Sequence, residues 1–422
     1  MLAPAAWAQF TFTTNNGAIT ITGYTGSGGN VTIPSATNGY PVTVIGNSSF
    51  FLKSSVTGVT VGTNVTLIDN YAFELCRSLT NVIISDSVTN IGISAFEFCS
   101  NLMNVTIPDS VTSIGQWAFL GLGLTSVTIP NNVISIGNQA FASCYSMTNV
   151  AVTAGNLSYA SAGGVLFNKA LTTLIQYPAG LAGNYAIPDN VTSIGSAAFG
   201  NCSNLTSVTI PISVTNIGSS AFAHCGLTSV TIPNSVTSIG VDAFEYCPGL
   251  TNVTIGNSVI SIGYSTFEQC NLTSVTIPNT VTNIGVYTFE SCTNLHQAFF
   301  KGNAPSVDGG AGSADSTVFY GELGTVYYLT NTTGWGATFG NWHTVLWNPQ
   351  VQTTNNNFGV RTNQFSFNLT GTASIPVVVE AWTNMGGAWT PLFSGSVTNG
   401  SVFFSDPQWT NYPQRFYRVR SP

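Results

Sequence analysis

Apolar side chains recur along most of the chain at short, regular spacings within a longer repeating unit. In the unit at 205–225, Leu205, Val208 and Ile210 occupy the first, fourth and sixth positions. This spacing predicts a short strand that points alternate side chains inward and stacks in parallel on its neighbours. Pro211 follows the strand, and because proline has no N–H to give to a ladder, it predicts the end of the strand.

A second apolar pair, Val214 and Ile217, precedes Gly218 in the same unit. Glycine stands at this position in most units, and Asp69 replaces it in one. Since Gly and, less readily, Asp tolerate the left-handed region, we expect a positive φ at this position.

The last part of the unit contains Ala221, Phe222 and Cys225 at i, i+1 and i+4. This spacing predicts a single helical turn that directs Ala and Cys into the core while Phe closes the convex side.

The unit repeats with a nearly constant period, as its phenylalanine shows. Successive members lie 22 or 23 residues apart, with one gap of 58, at Phe50, Phe73, Phe96, Phe119, Phe141, Phe199, Phe222, Phe244, Phe267 and Phe289. Such a period predicts a solenoid. One unit buries too little apolar surface to offset the entropy of ordering its residues, so each unit depends on its neighbours.

The pattern resembles the BspA-type leucine-rich repeat family. Its SVTSIG-xx-AF-xx-C-xx-LTSVTIP consensus is met almost letter for letter at 191–210 and 236–255, and the resemblance covers about 31–300. It implies a mainly β, leucine-rich-repeat solenoid of parallel stacked short strands, secreted by or displayed on the surface of a bacterium. Members are associated with adhesion and protein binding and are not enzymes as a class, so no catalytic residue and no cofactor carries over.

The period also divides the chain. We expect a signal-peptide remnant at 1–9, an N-terminal β cap and first coil at 10–45, the solenoid at 46–300, an enlarged coil at 150–190, a C-terminal cap at 301–347 and a small antiparallel β-sandwich-like domain at 348–422. Ala6-Trp7-Ala8 has the small-x-small form of a cleavage site, although a short leader rich in Ala is the alternative.

Local signals support three of these assignments. Asn15-Asn16-Gly17 predicts a hairpin in the N-terminal cap. In the enlarged coil, two strand-like runs flank Asn168-Lys169-Ala170 and predict an inserted hairpin. Three arginines in residues 415–420 indicate either an anchoring or export tail or an edge strand protected by charge.

The composition excludes several classes of protein. Only 5% of the residues are charged, and 8 Lys and Arg against 15 Asp and Glu give a net charge of −7. Nucleic-acid binding needs clustered cations, which this chain lacks. The 44% apolar content argues against disorder, and no apolar run reaches the length of a transmembrane helix.

The eight cysteines are candidates for covalent or metal chemistry. Most of them recur at the same position of the unit, where Leu122 stands in one coil, so the position belongs to the core. Parallel stacking keeps equivalent Cβ atoms about 4.8 Å apart, which is farther than a disulfide prefers. We therefore expect a ladder of free thiols, and no CxxC spacing supports zinc.

Other polar residues offer weaker chemistry. His224 beside Cys225 resembles a Cys–His nucleophile, but random surface placement explains it better. Glu245, Glu268 and Glu290 follow the repeated Phe and could stack as a carboxylate row. Calcium would suit such oxygens, and solvated loop carboxylates explain them equally well.

The outward positions of the concave strands form the best candidate surface. They carry uncharged hydroxyls and amides at Thr206, Ser207, Thr209, Thr228, Ser229, Thr231, Thr251, Asn252, Thr254, Thr273, Ser274 and Thr276. Such a face can hydrogen-bond a protein or glycan, and Thr and Asn also simply suit solvent-facing strands. Self-assembly into an extracellular layer or fibre is the main alternative function. Ice binding is a minor one, because Ile83 and Met103 interrupt the hydroxyl rows.

Overall fold

The computed structural model describes residues 9–308, 317–372, 376–383 and 388–420. The expected signal-peptide remnant, apart from Gln9, lies outside these residues. The described part is built from β-strands and turns; it contains no α-helix and therefore no helix that could cross a membrane, and its one short 3-10 helix is Trp409–Asn411. The prediction of a mainly β solenoid of parallel stacked strands is confirmed.

Each coil of the solenoid has three sides, which we name from their structure. The long-strand face holds the Leu-x-x-Val-x-Ile pattern, and the short-strand face holds two-residue strands such as Asn216–Ile217. The turn face, residues 218–226 in the representative coil, consists of consecutive turns.

The long-strand face consists of parallel strands in the order of the sequence. They are Gly29–Thr32, Val56–Thr60, Asn81–Ile83, Ser126–Ile129, Asn149–Val152, Gly183–Ala186, Leu205–Thr209, Ser229–Thr231, Asn252–Thr254, Ser274–Ile277, Gln297–Phe300, Thr325–Leu329 and Trp342–Trp347, with Thr338–Phe339 antiparallel at the end.

The short-strand face runs beside it, again with parallel neighbours between coils. Its strands are Ala18–Tyr24, Tyr40–Ile45, Leu67–Ile68, Asn90–Ile91, Ser113–Ile114, Ser135–Ile136, Thr173–Gln176, Ser193–Ile194, Asn216–Ile217, Ser238–Ile239, Ser261–Ile262, Asn283–Ile284 and Ser306–Val307. The small strand Ala36–Thr37 pairs with Tyr40–Ile45.

The predicted helical turn is wrong. On the turn face, the N–H groups of Ser220, Phe222 and His224 donate to carbonyls of the following coil at 2.8, 2.7 and 2.8 Å. Ser220 and His224 have φ of 53° and 57°. Stacking gives every second N–H a carbonyl partner in the next coil, which a lone helical turn could not supply. The segment therefore forms turns whose hydrogen bonds between coils make a third ladder, beside those of the two strand faces.

The repeated phenylalanine lies inside the solenoid and does not cover its convex side. Phe222 is fully buried, and its ring stacks between those of Phe199 and Phe244 with centroids 4.7 and 5.1 Å away. The column continues beyond the regular repeats, because Phe319 stacks on Phe289 and Trp342 stacks on Phe319. The aromatic column therefore extends through residues where the sequence period is lost.

The expected positive φ at Gly218, the glycine that recurs in most units, is also wrong. Gly218 is not among the residues with positive φ. A Cβ there would lie 2.7 Å from the backbone N of Ser196 and 2.8 Å from the carbonyl carbon of Gly195. Close approach between the backbones of successive coils is therefore what requires glycine, while positive φ falls two and six residues later.

The enlarged coil interrupts this regularity with an antiparallel meander. Tyr159–Ala162 pairs with Val165–Asn168, which pairs in turn with Thr173–Gln176, so the predicted hairpin is confirmed. The buried amide of Asn156 donates to the carbonyls of Pro130 and Val133 and accepts from two backbone N–H groups. Two separate apolar clusters meet at this coil, and Phe141 and Tyr177 end the two halves of the aromatic column.

The N-terminal hairpin is confirmed as well. Phe10–Asn15 pairs antiparallel with Ala18–Tyr24 through a turn in which Asn16 and Gly17 both have positive φ. Tyr24 stacks on Phe50 at 5.1 Å, so the cap begins the aromatic column. The buried side chains of the hairpin, Ile19, Ile21 and Tyr24, cover the core of the first coil.

The C-terminal segment forms two antiparallel sheets, as predicted. One contains Gln350–Gln352, Gly359–Arg361, Gln364–Thr370 and Ser401–Asp406, and the other contains Pro376–Trp382, Thr390–Ser396 and Phe416–Arg420. Phe367, Leu369 and Phe404 from the first sheet pack with Val377 and Val379 from the second.

The last strand lies at the edge of its sheet, where it pairs with Pro376–Trp382. Two arginines in or next to this strand form ion pairs within the domain: Arg415 pairs with buried Asp406 at 2.9 Å, and Arg418 pairs with buried Glu380 at 2.6 Å. The hydroxyl of Tyr417 donates to Asp406 at 2.8 Å. Arg415 thus connects the two sheets of the domain, and Arg418 connects two strands of one sheet, so neither of them belongs to a free basic tail.

Candidate binding surface

The long-strand face places the predicted residues side by side in successive coils. Parallel pairing aligns Ser229 with Asn252 and Thr231 with Thr254. Because side chains alternate along a strand, Val230 and Val253 between them point into the core. Ten of the twelve predicted side chains are exposed, and Ser207 and Thr276 are half-buried.

Part of this hydroxyl row has a structural role. Thr206 donates to the carbonyl of Gly183 at 3.2 Å, and Thr251 donates to that of Thr228 at 3.3 Å. The side-chain ladders that the sequence left open therefore exist. Within the described residues, Thr209, Thr231 and Thr254 have no intramolecular side-chain hydrogen bond, so their hydroxyls can donate to a partner.

A groove of about 600 Å³ crosses the C-terminal half of this face. Five predicted residues line it, namely Thr231, Asn252, Thr254, Ser274 and Thr276. Asn234, Asn257 and Lys301 lie beside them. The groove thus combines hydroxyls and amides, which both donate and accept, with one ammonium group.

The earlier coils have a corresponding groove of about 440 Å³. Thr106, Ser126 and Thr128 line it, and Asp109 lies where the first groove has an uncharged residue. The groove is therefore a property of the repeat, and the charge at its border distinguishes the two copies.

Lys301 is the residue of this surface that sequence reasoning missed, because it fell in the predicted C-terminal cap. It lies 23 residues after Pro278, one period further, at the end of the strand Gln297–Phe300. Counting one more period would have placed it in the groove. Between Lys169 and Arg361 it is the one Lys or Arg in the sequence.

The cysteines form the predicted ladder of buried free thiols. In most coils the Sγ donates to the carbonyl of the repeated Phe one coil earlier, as from Cys76 to Phe50 at 3.0 Å and from Cys247 to Phe222 at 3.2 Å. Burial raises the pKa of Cys76, Cys144 and Cys292 to about 12. These thiols are therefore protonated near neutral pH and cannot serve as nucleophiles there.

His224 is exposed, and its ring lies 4.8 Å from that of Tyr246. Partial burial lowers the pKa of His224, so the imidazole is mainly neutral at pH 7. The neighbouring Cys225 is buried and donates to the carbonyl of Phe199, which separates the thiol from an exposed reaction site.

The predicted carboxylate row is present on the turn face. Burial first, and then repulsion by Asp242 and Glu268, raises the pKa of Glu245. Burial and repulsion by Glu268 likewise raise the pKa of Glu290. In the described residues no group of three or more His, Cys, Asp and Glu side chains is arranged to hold a metal ion.

The coil geometry defines a leucine-rich-repeat solenoid with a polar groove and without an assembled catalytic group in its described part. The chain belongs to the BspA type leucine rich repeat family, whose repeat region it matches in six copies over residues 27–155 and 182–304.

Several solved structures are similar to this chain, and the two with a TM-score of at least 0.50 show the same type of fold. The pneumococcal vaccine antigen PcpA is 20% identical, with 76% of this chain and 92% of that chain covered and a TM-score of 0.55. A leucine-rich repeat protein from Eubacterium ventriosum is 25% identical, with coverages of 67% and 86% and a TM-score of 0.50. A leucine rich cell surface protein from Faecalibacterium prausnitzii is 28% identical, with coverages of 69% and 87% and a TM-score of 0.46. Among curated proteins, no sequence matches the chain.

Proposed function

We propose that this chain is a non-enzymatic binding or adhesion protein of the bacterial surface or its surroundings, which holds a protein or glycan partner on the long-strand face. The observation that carries the proposal is the groove of about 600 Å³ lined by Thr231, Asn252, Thr254 and Ser274. Membership of the BspA type family supports surface display and adhesion.

The chemistry of the groove favours short-range recognition. Uncharged hydroxyls and amides give directional hydrogen bonds but no long-range steering of a charged ligand. Lys301 adds one charge-assisted donor at the border of the groove. The partner on this face is therefore rich in hydrogen-bonding groups and presents at most a local negative charge.

The test compares two sets of three threonines on neighbouring coils of the solenoid. The variant T209A/T231A/T254A removes exposed hydroxyls from the long-strand face, and T215A/T237A/T282A removes exposed hydroxyls from the short-strand face. Binding to host cells and to glycan and protein arrays should fall at least tenfold for the first variant and stay unchanged for the second. Equal effects of the two variants, or none of the first, would reject this face as the binding site.

Self-assembly of the same chain into an extracellular layer or fibre is the alternative function. Light scattering and sedimentation over a hundredfold range of protein concentration separate the two functions. A mass that stays constant supports a displayed binding protein, and growth into large particles without any partner supports a structural component.

A further inference from the structure

A second groove lies on the turn face and shares no lining residue with the groove of the long-strand face. Two adjoining cavities of about 360 and 590 Å³ share Tyr246 and Pro248. Tyr145, Asn201 and His224 line the first cavity, and polar side chains of later coils, including Gln269 and Asn271, line the second. We call this surface the turn-face groove.

Backbone geometry fixes the side chains of this groove. Asn201, His224, Tyr246 and Gln269 occupy the same position in successive coils, with φ between 53° and 64°. The N–H of each donates at 2.8 Å to a carbonyl of the next coil. The side chains are therefore held one coil apart and project from a rigid ladder.

The aromatic end of the groove exposes two tyrosine rings. Tyr246 and Tyr145 are 46% and 56% exposed, and the imidazole of His224 packs against the ring of Tyr246. Tyr145 comes from the coil before the enlarged coil, whereas Asn201 and Ser203 come from the coil after it. Flat exposed rings beside amide and hydroxyl groups suit a ligand with both C–H faces and hydroxyls.

The other end of the groove is polar and uncharged. Gln269, Asn271, Ser291 and Thr293 line it, so amides and hydroxyls again both donate and accept. The backbone N–H groups of the ladder are already used between coils. A peptide therefore cannot add to this face as a strand, and recognition depends on side chains.

Charge excludes anionic ligands. The sequence has no Lys or Arg between Lys169 and Lys301, while Asp242, Glu245, Glu268 and Glu290 all belong to this side of the solenoid. A sulfated, phosphorylated or uronic-acid ligand would meet unbalanced negative charge and no cation.

We infer that the turn-face groove binds a neutral oligosaccharide, with pyranose rings stacked on Tyr246 and Tyr145 and hydroxyls bound by Asn201, Gln269 and Asn271. This site is separate from the long-strand face, and the inference does not depend on whether that face binds a partner.

The experiment titrates the full-length chain with named probes by calorimetry and saturation-transfer NMR. The neutral probes are cellohexaose, maltohexaose, mannohexaose and chitohexaose, and the charged probes are polygalacturonate and poly-L-lysine. At least one neutral probe should bind, and Y246A and Y145A should each weaken binding at least tenfold. Y246F, which keeps the ring, should bind within threefold of the unmodified chain.

Two controls separate this site from other effects. Y264A removes a 42% exposed tyrosine that does not line the groove, and T231A/T254A alters the long-strand face, so both should bind normally. If Y246A is less stable, Y246N replaces it, because Asn tolerates positive φ. Failure of all neutral probes at millimolar concentration, binding of poly-L-lysine alone, or full binding by the Y246 and Y145 variants would overturn the inference.

Discussion

The Sγ of Cys225 donates to the backbone carbonyl of Phe199 at 3.0 Å, which joins two successive coils through a buried thiol. The same contact recurs at Cys99 with Phe73 and at Cys270 with Phe244, each at 3.1 Å. The cysteine side chain is thus both an apolar filler and a hydrogen-bond donor, and its oxidation would remove the donor.

The folded chain should resist thiol reagents. Burial raises the pKa of Cys99, Cys225 and Cys270 well above the usual value for a thiol, and access is blocked as well. Iodoacetamide at pH 8 should modify none of the eight cysteines within an hour, whereas all eight should react in 6 M guanidinium, as counted by mass spectrometry. Rapid labelling of the native chain at any cysteine would contradict the buried ladder.

The aromatic column should carry much of the stability. Phe222→Ala leaves a cavity between two stacked rings and should reduce the free energy of unfolding by about 3–5 kcal/mol. Phe51→Ala is the matched control, since that ring is 39% exposed, and its cost should stay within about 0.5 kcal/mol. Chemical denaturation followed by circular dichroism gives both values, and equal losses would contradict the central role of the column.

Substitution of a glycine that lies between two coils should reduce stability more than substitution of its polar neighbour. Gly240→Ala would place a Cβ 2.6 Å from the carbonyl carbon of Gly218 and from the backbone N of Ser219. The backbone must shift to relieve this contact, so stability should fall by about 1–3 kcal/mol. Ser219→Ala, at an exposed side chain next to the same contact, should change the melting temperature little. A G240A variant as stable as the unmodified chain would refute the close-approach explanation.

The carboxylate row should make the solenoid less stable as pH rises. Burial and neighbouring carboxylates raise the pKa of Glu245 above its usual 4.5, so the folded state binds that proton more tightly than the unfolded state. This contribution to stability is lost as pH rises from about 4.5 through the raised pKa. At pH 7 the variant E245Q should therefore melt at a higher temperature than the unmodified chain.

The difference between the two proteins should shrink as pH falls below about 4.5, where the carboxyl becomes mainly protonated in both the folded and the unfolded state. The lowered pKa of His224 acts in the opposite direction below about 6.5, but it is common to both proteins and cancels in the comparison. High salt at pH 7 should also reduce the difference by screening the repulsion. A pH-independent difference would show that the repulsion does not act through ionisation.

The repeat period, the two apolar patterns and the shared position of the cysteines sufficed to predict the solenoid, the parallel strands and the free thiols. These features depend on which residues are buried, and the spacing of the apolar residues predicts which residues those are. The hairpins were predictable for a similar local reason, because Asn16 and Gly17 suit a turn with two positive φ values.

The turn face was not predictable from one repeat. The spacing of Ala221, Phe222 and Cys225 fits a helix, but the partners of these backbone groups lie on another coil. The role of Gly218 depends likewise on Gly195 and Ser196 of the previous coil. Inter-coil contacts decide both features, and a single unit does not contain them.

The candidate surface was predicted only in part. Alternation along the strands identifies Thr231 and Thr254 as outward residues, whereas Lys301 and the turn-face pair of Tyr145 and Tyr246 become neighbours through stacking. Phe319 was missed in the aromatic column because it lies 30 residues after Phe289, outside the regular period.

The interruption between Phe141 and Tyr177 has a mechanical consequence. Within each half, the stacked rings bind successive coils together. The junction between the halves at the enlarged coil, which we call the seam, depends on the meander and on the buried amide of Asn156. A load applied along the molecule would concentrate at this seam, so the protein would extend as two stiff rods joined by a compliant link. Each rod would keep its own long-strand groove, whereas the turn-face groove, which spans the seam between Tyr145 and Asn201, would be pulled apart.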